Sequence, residues 1–191
     1  MIRFGLYGII LILFVFISEA QSQTLIVKSG EINSIEFLAS STLSNFEGKT
    51  SAVEGFIALD TTLYKNSRIN LSVYLDSIDT GIGLRNKHMK EEYLETDKFP
   101  VANYSGTIIN VKHLSYSESE IETEGILKIH GIEKKYEISG KLFNYGKLYR
   151  VDAGFNVSLK DFNIEQPTFL FISVDDNIIL KCVIYFTNKV N

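Results

Sequence analysis

Asp79–Pro100 reads DTGIGLRNKHMKEEYLETDKFP and is the one segment whose pattern is neither strand nor turn. Ile82, Arg85/Asn86, Met89 and Tyr93 recur in it at helical steps of three or four. Thr80 is placed to cap its start and Pro100 to close it. Arg85 and His88 lie three apart, so on a helix they share a face. The chain on either side alternates with period two. This predicts an all-β fold with one helical segment, which must plug, brace or gate the strands around it.

Working outward, Arg68–Leu75 shows the alternation most plainly. Ile69, Leu71, Val73 and Leu75 fall on one face and Arg68, Asn70, Ser72 and Tyr74 on the other, giving one dry and one wetter side. Asn33–Ser41, Ala52–Leu59, Ala102–Val111, Glu120–His130, Lys135–Leu142, Tyr149–Leu159 and Ile178–Thr187 alternate likewise. Ser40–Lys49 reads as a polar connector, and Phe162–Phe171 as an aromatic connector that serves as core or lid. Asp175-Asp176-Asn177 reads as a turn rather than a calcium loop. Gly55, Gly106, Gly125, Gly140 and Gly154 recur inside strands, where glycine lets a sheet coil or leaves room beside a ligand.

A closed antiparallel barrel of about eight strands accounts for both features and removes the open edges of long strands. A two-sheet sandwich calls for shorter strands and more proline than Pro100 and Pro167. The expected fold is thus an eight-stranded antiparallel barrel, with the helical segment between the fourth and fifth strands. Strands of about ten residues, at ~3.3 Å per residue and a tilt of ~40°, make it roughly 25 Å tall. Inward Gly and Ala favour a long, narrow, apolar cavity suited to a hydrocarbon chain.

The net charge of −4 argues against a nucleic-acid partner. Residues 1–20 carry Arg3, an apolar run over Gly5–Ile17 and a Ser18-Glu19-Ala20 cleavage pattern. They read as a signal peptide preceding a domain over 21–191, with an uncleaved anchor as the alternative. The chain is therefore expected to be exported, with the periplasm as its destination. Cys182, the single cysteine, lies in an alternating strand and reads as a small buried apolar residue.

Four blocks carry a family resemblance. They are Asp76–Gly81 leading to Arg85–Met89, then Phe99–Tyr104, Gly125–Gly131 and Phe155–Phe162. In that order they resemble the YceI-like family of exported bacterial proteins, over roughly Leu25 to Phe186. The resemblance implies an extended, lipocalin-like barrel whose apolar tunnel takes a polyisoprenoid or similar long-chain lipid, without catalysis. Lys160-Asp161-Phe162-Asn163 departs from the family's usual Arg-x-Asp-Phe-Gly run, so a head-group preference does not carry over.

The inward faces nominate a tunnel lining of Phe37, Ile57, Ile69, Leu71, Val73, Tyr104, Leu127, Ile129, Ile138, Phe155 and Val157. Arg85, His88 and His130 are the candidate tunnel mouth, able to meet a diphosphate or carboxylate. Against this, His88 could brace the helix on a backbone carbonyl, and His130 could support the turn at Gly131. His113 reads as a surface residue. The three histidines lack metal-site spacing, so no metal and no cofactor beyond the bound lipid are expected. No catalytic residues are nominated. The expected function is carriage or sequestration of a long-chain isoprenoid or fatty lipid, with transient membrane contact. The alternatives are an interaction module built on a filled barrel, with Phe56, Tyr74 and Ile126 outward at a homodimer interface, and a lipid hydrolase using His88.

Overall fold

Asn177–Asn188 is the strand on which the sheet closes. The computed structural model describes residues 22–60, 63–169 and 172–189; the segment read as a signal peptide, and Phe171, lie outside them. In chain order the strands are β1 (Ser22–Val27), β2 (Ser34–Ala39), β3 (Phe46–Thr50), β4 (Val53–Asp60), β5 (Arg68–Tyr74), β6 (Val101–His113), β7 (Glu118–Ile129), β8 (Ile132–Asn144), β9 (Leu148–Ser158), a small β10–β11 pair (Thr168–Phe169 and Ile172–Ser173) and β12 (Asn177–Asn188). β12 pairs antiparallel with β9 along one edge. Its other edge is shared: Ile179–Val183 pair with β2, and Phe186–Asn188 with β1.

β1 and β2 therefore occupy one stave of the barrel. β4 and β3, which pair with them, occupy the next. With β5 to β9 and β12 the circuit closes on eight staves, all antiparallel. Two joints make the split staves possible. At the first, buried Asn33 replaces missing ladder bonds: its Nδ2 donates to Lys28 O at 2.7 Å, and its Oδ1 accepts from Tyr185 N at 2.9 Å. At the second, Thr50 Oγ1 accepts from Ala52 N at 2.9 Å and lies 2.6 Å from Ser77 Oγ. Reciprocal backbone bonds between Lys49 and Asp79, both 2.9 Å, tie β3 to the chain leaving β5.

The eight-stranded antiparallel barrel read from the sequence is thus the observed architecture. The helical segment, however, follows the fifth strand in the chain, not the fourth. β1 falls outside every alternating stretch of the sequence, and most of β3 falls within the polar connector over Ser40–Lys49. Each is only five or six residues long, too short for alternation to stand out. The segment itself is a short α1 (Gly83–His88) running into a π-helical turn over Met89–Tyr93, where Leu94 N bonds Met89 O at 2.8 Å. Thr80 does not cap it; the residue before its first turn is Ile82, in extended backbone.

One end of the barrel is filled. Leu25, Ile108, Tyr149 and Phe186 pack there in one core cluster, each at most 8% exposed. A 3-10 turn over Tyr64–Asn66 adjoins that end; Thr107 Oγ1 donates to Lys65 O at 2.9 Å and to Ser67 O at 2.6 Å. The helical segment, the β2–β3 loop and the β9–β12 connection gather at the opposite end. On the outer wall Lys135–Glu124, Lys141–Glu118 and Lys112–Glu120 form exposed cross-strand ion pairs, individually worth little.

Candidate functional site

Alternation turns one face of every stave inward, and at the helical end those faces enclose space. The cavity measures about 790 Å³. All eleven residues nominated as tunnel lining face it: Phe37, Ile57, Ile69, Leu71, Val73, Tyr104, Leu127, Ile129, Ile138, Phe155 and Val157. The wall continues through Ile121, Val151, Ala153, Leu180, Ile184 and Phe186. Such a chamber favours an apolar occupant, because each methylene moved from water into it contributes about 0.8 kcal/mol.

Polar groups inside are few and mostly committed. Tyr104 OH lies 2.8 Å from Thr123 Oγ1, which donates to Ile138 O at 3.0 Å. Burial raises the Tyr104 phenol above its ordinary range. The Tyr104 ring lies over the directly paired Gly106 and Gly125; a β-carbon at Gly125 would stand 2.8 Å from Tyr104 Cζ. Cys182 faces the cavity from β12, so part of its surface borders the void while burial pushes its thiol up to about 12.

Arg85 and His88 both line the cavity's open end, but they are held differently. Asp79 Oδ1 accepts from Asn86 Nδ2 at 2.6 Å and Gly81 N at 2.9 Å, which holds its carboxyl below the ordinary range. Asn86 Oδ1 in turn accepts from Thr80 N at 2.8 Å and Thr80 Oγ1 at 2.6 Å. Arg85 then donates from Nε to Thr80 Oγ1 at 2.9 Å and from Nη2 to Thr80 O at 2.7 Å, with its guanidinium 4.6 Å from the Phe46 ring centroid. Among the described residues no carboxylate forms an ion pair with it. His88 is half exposed and stands 4.0 Å from Glu92, not on a backbone carbonyl.

His130 does not belong to this mouth. It sits at φ 51° in the turn between β7 and β8, and is absent from the cavity wall. Nδ1 lies 3.2 Å from Phe162 O and Nε2 2.9 Å from Glu95 Oε2, with the Phe99 ring at 4.4 Å. From this left-handed turn its largely buried side chain ties β7 to the helix exit and to the β9–β12 connection. Hydrogen bonds from Lys98 and His130 keep the Glu95 carboxyl below its ordinary range. His113 is exposed as expected, yet partnered: Nδ1 is 2.9 Å from Ser119 Oγ and Nε2 is 3.3 Å from Tyr64 OH. Phe162, at 0% exposure, is core rather than lid. Asp175 and Asp176 form the bend that leads into β12 at Asn177, with Asp176 accepting from Ser158 Oγ and Lys160 N.

Ile82, Met89 and Tyr93, the apolar side of the helical segment, border the cavity as their period implies. Not legible in the sequence are Phe46 in the short strand β3, Thr80 and Asn86 as the clamp on Arg85, and Leu43 and Leu84 beside Ile82 at the rim. Leu43, Ile82 and Leu84 line the open end and are 74%, 51% and 66% exposed. Asn86, seven residues after Asp79, carries no local signal that its amide would bridge back to it.

The sequence model of the YceI-like domain matches residues 28–186. The chain belongs to the YceI-like family. Protein YceI of Salmonella arizonae is 27% identical to this YceI-like chain over 136 residues, 64% of this chain and 69% of that protein. YceI of Salmonella newport gives the same figures. Among solved structures, a polyisoprenoid binding domain from Saccharophagus degradans, implicated in plant cell wall breakdown, superposes with a TM-score of 0.70 at 13% identity, covering 88% of this chain and 100% of its own. Burkholderia cenocepacia BcnA gives 0.66 at 12% identity, covering 80% and 95%. At such identities the two structures establish the YceI-like barrel as a shared fold.

Proposed function

We propose that this YceI-like barrel binds a long-chain apolar lipid, a polyisoprenoid or a similar chain, and carries or sequesters it without catalysis in the bacterial envelope. The observation that carries the reading is the cavity of about 790 Å³, walled by aliphatic and aromatic side chains and open at one end. A filled barrel acting only through its outer wall has no use for such a space. The polyisoprenoid binding described for the Saccharophagus degradans domain, on the same fold, supports the same ligand class. Arg85 and His88 at the open end suit a polar or anionic head group. The exposed Leu43, Ile82 and Leu84 around them suit brief contact with a membrane from which a lipid enters or leaves. The signal-peptide pattern of residues 1–20 supports export to the periplasm, where such a membrane is at hand.

The experiment is extraction of the purified protein with organic solvent, followed by mass spectrometry, against a Phe155→Arg variant that puts a charge into the cavity wall. The proposal expects a stoichiometric lipid in the wild type and its loss in a still-folded variant. A wild type that yields no lipid and takes up none from mixed vesicles overturns it. Conversion of the bound lipid during long incubation would make the protein a hydrolase instead.

A further inference from the structure

Resting on the lipid reading above, we infer that Phe186 sets the length of tail that the barrel accepts, limiting it to a single chain of about five isoprene units. The cavity is blind. On β12 its lining residues run from Ile178, near the open end, to Phe186. Eight residue steps at ~3.3 Å and a tilt of ~40° give a depth of roughly 20 Å. Its volume of about 790 Å³, at roughly 30 Å³ for each water-sized group, holds about 26 non-hydrogen atoms.

Below Phe186 there is no room. Phe186 is 1% exposed and pairs directly with Tyr149, which with Leu25 and Ile108 fills the barrel without lining the cavity. That filling is bonded shut: Gln23 Nε2 donates to Tyr149 OH at 2.9 Å, and Thr107 fastens the turn at Tyr64–Asn66. A longer tail must leave its excess carbons in water beyond the rim or displace the Phe186 ring. The ring is the last large group bordering the void, so it is the adjustable part of the floor.

The test is a competition among farnesol, geranylgeraniol, geranylfarnesol, hexaprenol and octaprenol, offered together in detergent micelles to delipidated full-length protein and quantified after repurification. Wild type is expected to retain members up to geranylfarnesol, with at least a tenfold drop at hexaprenol. Phe186→Ala removes about as many carbons as one isoprene unit and moves the drop past hexaprenol. Because that variant empties a packed position and can cost the fold, Ala153→Phe serves as the opposite arm: it projects a ring into the void and moves the drop below geranylfarnesol. Wild type that retains octaprenol as well as geranylgeraniol overturns the length limit. A drop that neither folded variant moves overturns the role of the floor. Retention of no prenol by any form overturns the lipid reading itself, and the ruler falls with it.

Discussion

The paired glycines beneath Tyr104 give a sharp test of how this barrel makes room for its cavity. At Gly125 an added β-carbon would lie 2.5 Å from Ser105 O, 2.7 Å from Gly106 Cα and 2.8 Å from Tyr104 Cζ. Carbon atoms prefer about 3.5 Å or more, so the contact with Gly106 falls short by roughly 0.8 Å. Two of these three neighbours are backbone of β6, which cannot swing away as a side chain can. Gly125→Ala must therefore push β6 from β7 or tilt the Tyr104 ring off its 2.8 Å contact with Thr123. Overpacking of this kind costs about 2–3 kcal/mol. At roughly 2–4 °C per kcal/mol for a chain of this size, the melting temperature drops by about 4–12 °C. Gly154→Ala is the matched control: its β-carbon would meet only Leu180 O at 3.6 Å, and the change stays within about 0.5 kcal/mol. Circular dichroism melts of the two variants, with near-ultraviolet spectra reporting on Tyr104, make the comparison. Equal melting temperatures would refute the close-approach argument and return the glycines to a general role in sheet coiling.

Three further outcomes are expected. Arg85→Ala removes two hydrogen bonds to Thr80 and the Phe46 contact, costing about 1–2 kcal/mol of stability. It should also weaken retention of a prenyl phosphate about tenfold or more while leaving the matching prenol unchanged; equal loss of both would show that Arg85 does not meet the head group. The Asp176 carboxyl is held below its ordinary range by Ser158 and the Lys160 amide, so its stabilisation is complete above the usual carboxylate pKa and is lost as pH falls through the depressed one. Urea midpoints of Asp176→Asn should accordingly be lower at pH 7 and converge on wild type in acid, and a gap that persists at pH 2 contradicts this. With the Cys182 thiol pushed up to about 12, native protein at pH 8 should resist iodoacetamide while urea-unfolded protein reacts, as intact-mass measurement will show; rapid native labelling would mean that water reaches the inner wall.

The alternation of Ile69, Leu71 and Val73, or of Phe155 and Val157, was enough to name eleven residues of the cavity wall, because a strand in a closed barrel has one inner face and its side chains alternate with period two. The helical segment was equally legible in Asp79–Pro100, since its period departs from that of everything around it. The sequence could not tell which end of the barrel is open. Inward residues look alike whether they border a void or, like Ile108, a packed floor; the difference lies in what crosses the barrel from other strands. Nor could it show that β1 and β2 share a stave, which rests on Asn33 bridging to the opposite end of the chain at Tyr185. His130 illustrates the limit most plainly. Its place at a strand end is compatible with the mouth or with support of the turn at Gly131, and only the fold decides for the turn, by setting Glu95 and Phe162 against its ring. Local pattern records which face is buried; the neighbours of that face, and the end at which the space opens, are set only when distant strands meet.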